Sequence, residues 1–502
     1  VCPHPEATTG RGMRTAHIVE TVRAAEGALL AQLPEGTLMR RAAFGLASVC
    51  VRILPRVSGA RVVLLVGSGD NGGDALFAGA ELARRGAAVT AVGAGRTLHE
   101  RGLAALRAAG GRTASVEQAA ALVAGADLVV DGLVGIGVRG ALREPHASLA
   151  ALTESTDAAV VAVDLPSGVD ADTGAVPGAS VRADVTVTFG TYKPGLLVDP
   201  GAGRAGVVEF VDIGLAPQLP DPDLVSFQAE DVAALLPRPT AESDKYRRGV
   251  LALAAGSNRY RGAAVLAAGG ALRTGVGLLR YVGEPEVARE VVARWPETVA
   301  SALDPVDPVA SLPQRVAAWV IGPGRGLHPA ALAELEAVLA SDVPVLVDAD
   351  ALTLLARNPA LVRERTAPTL LTPHAGELTR LLPGVERADV EAHRLDYARR
   401  AAAEYGCTVL VKGSTTLVAE PNRAVAANPT GTPLLATAGS GDVLAGMIGA
   451  LLATGLPPWE AAACGAYLHG MAARLAHGGA PISASDLFDA IPRAISAVVY
   501  RE

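Results

Sequence analysis

Aromatic residues are scarce: Phe, Trp and Tyr make up 3% of the 502 residues, although half of the chain is hydrophobic. Cores built without large rings are filled by Ala, Val and Leu packed closely around Gly. Cysteine is nearly absent. Cys2, Cys50, Cys407 and Cys464 show neither metal-ligand spacing nor a disulfide framework and read as scattered thiols of a reducing cytoplasm. Basic residues are not in excess. The formal charge of -7 argues against nucleic acid or an anionic membrane as the main partner, while leaving local phosphate pockets open. Long apolar runs are missing as well. Val443–Thr454, about a dozen residues, fits a buried core helix better than a bilayer crossing. The opening VCPHPEATTGRG has no signal-peptide core, and the fold is expected to begin at Met13.

What the chain does have is a repeated grammar of short Val, Leu and Ile runs that end in Gly, Asp or Pro. Val62–Val66, Ala88–Val92, Leu128–Asp131, Val160–Asp164 and Val185–Phe189 are expected strands of a first series. Leu251–Ala254, Trp319–Ile321, Val345–Asp348, Thr369–Leu371 and Thr408–Val411 form a second. Continuous apolar runs alternating with helices signal parallel strands buried on both faces, with ligands bound beyond their carboxyl ends. A Pro- and Asp-rich stretch between Leu215 and Arg248 separates the two series. The expected class is α/β with two domains, 13–224 and 225–502, the first a Rossmann-like three-layer α/β/α unit.

ATAGSGDVLAG concentrates the chemistry of the second series. Gly439, Ser440 and Gly441 free the backbone to fold around an anion, and the following helix aims its positive end at the same spot. Asp442, at the junction, reads as the group that orients and deprotonates a hydroxyl attacking a phosphate, with the helix end expected to keep it ionised; a plain helix cap is the alternative. Lys412, leaving a buried strand into the Gly turn of VLVKGSTT, is a natural phosphate contact. VLVDADAL puts Asp348 and Asp350 at a strand end, and TLLTPHAGEL puts His374 and Glu377 in one loop. His374 alone reads equally well as a polar loop residue. A phosphate-bridging Mg2+ would need few protein ligands and leave little trace.

In the first series Gly67, Gly69 and Gly72 satisfy GxGxxG. A redox dinucleotide domain also wants an acid about 20 residues on to hold the ribose. The second strand ends instead in GAGR, so hydride transfer is disfavoured. Asn71, Asp131 and Ser167 fall at strand ends of one sheet and offer hard oxygen ligands suited to a group-I or group-II cation. Taken singly, each is also an ordinary turn residue. Lys193, in YKPG, could assist a neighbouring acid, but a structural lysine in a turn is the preferred reading.

GSGDNGGD, DGLVGIGVRG, VAVDLPSGVDADTG and VTFGTYKPGLLVDPG, in this order, resemble the motif series of NAD(P)H-hydrate epimerases. The resemblance implies that Asp70, Asn71, Gly72, Gly73 and Asp74, with Gly135, Ile136, Gly137, Val138, Arg139, Gly140 and Ala141, cradle a hydrated nicotinamide dinucleotide. It also implies K+ held by Asn71, Asp131 and Ser167, and Asp164 meeting the substrate. Epimerisation by loss and return of water needs a carboxylate that gives and takes a proton; Asp164 and Asp131 are the available acids, and Asp164 is the preferred catalytic one. Asp70 departs from the family, which has Asn there. Its carboxylate would repel a pyrophosphate unless turned away or paired.

GSNRYRGA, IGPGRG, TPHAGE, KGSTT and NPTGTPLLATAGSGDVLAG resemble the NAD(P)H-hydrate dehydratase branch of the ribokinase-like enzymes. That likeness implies adenine nucleotide on Lys412, Gly413, Ser414, Thr415, Thr416 and Gly441, and hydrate on Ala263, Gly324, His374 and Asp442. It implies Mg2+ with the nucleotide; the bacterial-type fusion favours ADP over ATP. The expected function is repair of NADHX and NADPHX. One domain interconverts the R and S epimers, and the other dehydrates the S form to NAD(P)H with release of AMP and phosphate. A homo-oligomer is compatible with this reading. The rival is a vitamin-type small-molecule kinase carrying an N-terminal binding or scaffold domain.

Overall fold

The computed structural model describes residues 12–500 apart from 96, 305, 306 and 308. Cys2 and the segment expected to precede the fold lie outside the described residues, save Gly12. The chain divides into two compact units, with the change between Leu224 and Val225. Among the described residues no helix is long and apolar enough to cross a membrane.

The first unit holds a seven-stranded, wholly parallel sheet. Its spatial order is Arg112–Ala114, Ala88–Gly93, Arg61–Val66, Leu128–Gly132, Ala159–Val163, Val185–Phe189 and Val207–Val211. The strand order turns back between Arg61–Val66 and Leu128–Gly132, a switch point of the kind where open α/β sheets bind ligands. Both strands are buried almost throughout, as continuous apolar runs require. Asp70–Arg84 is the helix that follows the first of them, and Gly79 lets it lie against Leu64 of that strand.

In the second unit the parallel run is Val299–Ala302, Leu278–Gly283, Val250–Ala254, Ala318–Ile321, Val345–Val347, Thr369–Leu371 and Thr408–Val411. Leu417–Ala419 and Val425–Ala427 then add antiparallel, a departure from the expected parallel series. The cause is chain length. Residues 412–416 are too few for a crossover, which needs about a dozen residues, so the strand doubles back and KGSTT becomes a hairpin loop.

Two helices dominate this core. Ser440–Ala453 is apolar on all sides and buried from Val443 onward. It lies against Arg261–Thr274 with almost nothing between the backbones: a Cβ on Gly446 would stand 1.9 Å from the Ala267 carbonyl oxygen, and one on Gly270 would stand 2.2 Å from that of Val443. Small residues thus replace the missing aromatics by letting main chains touch.

Candidate functional site

At the carboxyl ends of the first sheet lies a cavity of about 920 Å³. The turn from Arg61–Val66 into its helix and the loop after Leu128–Gly132 form adjoining walls. Asp70, Asn71, Asp74 and Asp164 line it, as do Gly135 to Val138. Arg139 pairs instead with Asp172 at 3.0 Å, and Gly140 and Ala141 lie beyond the lining. Gly72 and Gly73 are buried; a Cβ on Gly72 would meet the Gly67 carbonyl oxygen at 2.3 Å, and one on Gly73 would meet Met39 and His99. Asp70, the first helical residue, is exposed at the helix N-terminus.

Asn71, Asp131 and Ser167 come together around Val134. The Asn71 amide donates to the Val134 and Val163 carbonyls at 3.2 and 2.7 Å. Ser167 donates its hydroxyl to Asp131 at 2.7 Å and its N–H to the same carboxylate at 2.8 Å, and its hydroxyl accepts the Val134 N–H. Asp131 is fully buried, with hydrogen bonds from Ser167 and Leu133 but no cationic side chain in an ion pair among the described residues. Burial pushes its carboxyl up to about 6. A buried carboxylate beside converging carbonyls and a hydroxyl fits a weakly hydrated monovalent cation. Among the described residues no cluster of three His, Cys, Asp or Glu could hold a metal ion.

The strand Ala159–Val163 ends one residue earlier than expected, and Asp164 follows it directly with φ 65, a strained conformation for a side-chain-bearing residue. Its carboxylate accepts from the Thr188 hydroxyl and the Phe189 N–H at 3.0 and 3.1 Å. It also accepts from the Lys193 ammonium in a very short contact. Lys193 is 1% exposed and donates further to the Phe189 carbonyl at 3.0 Å. The expected structural lysine is therefore the buried counter-ion of the candidate catalytic acid. No sequence pattern joins the two, because Asp164 and Lys193 meet only through the neighbouring strand Val185–Phe189.

In the second unit the parallel strand ends bring Asp348, Lys412 and the first turn of Ser440–Ala453 to one place. That helix begins earlier than expected, so Asp442 is its third residue rather than a junction, behind Gly439 at φ 86. Lys412 Nζ donates to Asp348 at 2.7 Å and stands 3.8 Å from Glu377. A Cβ on Gly441 would be 3.6 Å from that ammonium, which places the cation against the helix N-terminus. Asp348 also accepts the Thr372 hydroxyl, and Ala349 between the two carboxylates is held at φ 50. His374 caps the helix Ala375–Leu381 by accepting the Gly376 N–H at 2.9 Å, and its strand end is bridged to Lys412. Gly324, at φ 62, packs on Ala263. Thr415 is buried, while Gly413 and Ser414 are exposed and Thr416 is half-buried.

Desolvation, then the Asp348 charge, push Asp442 up to about 7, opposed by Lys412. The expectation that the helix end alone would keep it ionised is corrected. The sign matters. A carboxyl whose folded pKa exceeds its unfolded one binds more protons when folded, so it costs stability as pH rises towards 7. As a base it works only when ionised. Dehydration is thus expected to fall as pH drops below about 7, to be measured as kcat/KM at saturating nucleotide; a profile flat down to pH about 5 would refute the basic role. Behind this turn His469 is buried, its Nε2 without a hydrogen-bond partner among the described residues, and burial keeps it neutral by lowering it to about 4. The sequence offered only a polar residue in an Ala-rich helix.

A family described as NAD(P)H-hydrate dehydratase matches residues 251–493, and the YjeF-related protein N-terminus family matches residues 35–195. The bifunctional NAD(P)H-hydrate repair enzyme Nnr of Mycobacterium leprae is 48% identical over 97% of this chain and 100% of its own length. The chain belongs to the family of bifunctional NAD(P)H-hydrate repair enzymes. A further family member, from Moorella thermoacetica, is 36% identical over 87% of this chain and 88% of its own length. The ADP/ATP-dependent NAD(P)H-hydrate dehydratase of Bacillus subtilis, co-crystallised with ATP and Mg2+, is 33% identical with a TM-score of 0.50. It covers 54% of this chain and 98% of its own, so the second unit has the ribokinase-like fold of the family.

Proposed function

We propose that the first unit interconverts the R and S epimers of hydrated NADH and NADPH, and that the second dehydrates the S epimer with ADP as phosphoryl donor. The observation that carries the reading is Asp442 beside Lys412 at the N-terminus of a buried helix. Asp442 takes the proton of the hydrate hydroxyl as that oxygen attacks the terminal phosphorus of ADP. Lys412 and the helix N–H groups meet the phosphate charge, and positioning with charge neutralisation supplies most of the rate in phosphoryl transfer. AMP departs. The ring nitrogen then expels phosphate from the phosphorylated carbon, and loss of a neighbouring proton restores NAD(P)H. Lys412 to Thr416 with Gly441 contact the nucleotide, and Ala263, Gly324 and His374 the hydrate. Bound with the nucleotide, Mg2+ would supply charge that neutralises its phosphates.

In the first unit Asp164 moves protons at the carbon bearing the hydroxyl, through loss and return of water. Asp70 to Asp74 and Gly135 to Ala141 shape the pocket for the dinucleotide. K+ on Asn71, Asp131 and Ser167 would supply a fixed positive charge that organises the loops carrying Asn71 and Asp164. Its expected signature is a rise in the unfolding temperature of the native chain on adding K+, lost in Asp131→Asn. An equal rise in both proteins would remove that assignment.

The deciding assay supplies mixed hydrate epimers with ADP or ATP and follows reduced-nicotinamide absorbance and inorganic phosphate together. Complete conversion of both epimers with equal yields of the two products supports the reading. A stable phosphorylated product would favour the vitamin-type kinase.

A further inference from the structure

Reversing the configuration of a carbon through loss and return of water makes a demand that one carboxylate does not meet. The leaving hydroxyl takes a proton on one face of the ring. The returning water gives up a proton on the other. A single side chain fixed beside one face serves one of these events, so an acid–base group is needed from a second direction.

Asp164 is fixed in this sense, held by Thr188, Phe189 and Lys193. Four further carboxylates line its cavity: Glu26, Glu35, Asp70 and Asp74. Glu35 is exposed and paired with Arg101 at 2.8 Å. Asp74 is 7% exposed and sits beneath the glycines of its own helix, with one oxygen lacking a hydrogen-bond partner among the described residues. Asp70 is exposed at the helix N-terminus. Glu26 differs from these. It comes from a separate element, the helix Val19–Leu30, and is half-buried in the cavity wall. Among the described residues it makes no hydrogen bond or ion pair, while Lys193, Asp164, Asp70 and Arg23 are the charges that act on it.

We infer that Glu26 is a second catalytic residue of the epimerase site, exchanging a proton with the hydrate oxygen on the ring face opposite Asp164. This rests on the epimerase reading of the first unit. In one direction the protonated Glu26 carboxyl gives its proton to the hydroxyl, the C–O bond breaks with its electron pair on oxygen, and water leaves. The ring nitrogen lone pair closes an iminium. Water then adds from the other face, its proton passing to the Asp164 carboxylate and its oxygen bonding to carbon. The reverse epimerisation exchanges the two roles. Burial raises the Glu26 carboxyl, which favours a proton-bearing form nearer neutrality, and the Lys193 charge opposes that rise.

The test is Glu26→Gln in the full chain, assayed with purified R-NADHX for epimerisation and with S-NADHX and ADP for dehydration. Loss of epimerisation kcat by about 10²–10⁴-fold is expected, the range for a positioned acid–base group, with KM within threefold. Glu26→Asp should recover part of the rate, and dehydration should stay at the native level. An epimerisation kcat within threefold of native overturns the assignment, and so does a change confined to KM. Equal loss in Glu26→Gln and Glu26→Asp together with a lowered unfolding temperature overturns it in favour of a structural role. Absence of epimerisation in the unmodified chain would instead defeat the epimerase reading itself.

Discussion

Replacing Asp442 with Ala is expected to lower nucleotide-dependent dehydration by about 10²–10⁴-fold, the usual contribution of a positioned base, while epimerisation proceeds at its native rate. The variant should still bind ADP, because the proposed phosphate contacts are made by Lys412 and the backbone of the first helical turn. It should also be no less stable at neutral pH. Ionised Asp442 is opposed by burial and by Asp348, and its pKa of about 7 means that the folded state pays for this charge. Activity and stability should therefore move in opposite directions, as they often do where a site holds a destabilised group. Coupled measurement of phosphate release, ADP binding and thermal unfolding checks all three. Native dehydration in Asp442→Ala would end its candidacy as the base. Lost ADP binding would show a misfolded turn instead.

The largest expected stability effect lies at Arg325, inside VIGPGRG. Its guanidinium is 2% exposed and forms two 2.8 Å bonds with Glu334, itself 1% exposed. A third bond, 3.0 Å to the Gly256 carbonyl, ties the loop carrying Gly324 to the turn after Val250–Ala254. Removing one partner of such a pair strands a buried charge and costs about 3–5 kcal/mol. Arg325→Leu is expected to lose that much from the second unit, read as a lower urea midpoint. The double variant Arg325→Leu with Glu334→Leu should recover most of it, since apolar replacement of a buried pair is often neutral. Recovered stability without recovered dehydration would locate the functional value of Arg325 in the Gly256 bond. A fully stable single variant would mean that the pair is not closed in solution.

Most strands were legible because buried parallel strands write themselves as unbroken apolar runs; Val185–Phe189, Thr369–Leu371 and Thr408–Val411 emerge with the expected bounds. Short or edge strands such as Arg112–Ala114 and Val207–Val211 carry mixed burial and polar residues, so the pattern is weak. Asn71, Asp131 and Ser167 could be grouped because each lies at or beyond the carboxyl end of a strand of one sheet. Lys193 could not. Its partner Asp164 stands across a strand boundary, and a lysine in a Pro–Gly turn looks the same whether it faces solvent or a carboxylate. Glu26 belongs to a helix with no motif, so nothing local marks it. The Asp442 pKa was misjudged because its own helix was visible in the sequence, while the burial and the Asp348 charge that outweigh it come from tertiary packing.

The contact of Ser440–Ala453 with Arg261–Thr274 through Gly446 and Gly270 has a mechanical consequence. With backbone against backbone there is no side chain to change rotamer, hence no hinge between the helix carrying Asp442 and the one carrying Ala263. The proposed base and the proposed hydrate contact at Ala263 therefore travel as one jaw. Closing of the site is left to other parts of its lining, of which the short KGSTT hairpin, with Gly413 and Ser414 exposed, is one. The gap between hydroxyl and base would then be a fixed property of the fold, and the nucleotide would be the part that moves into range.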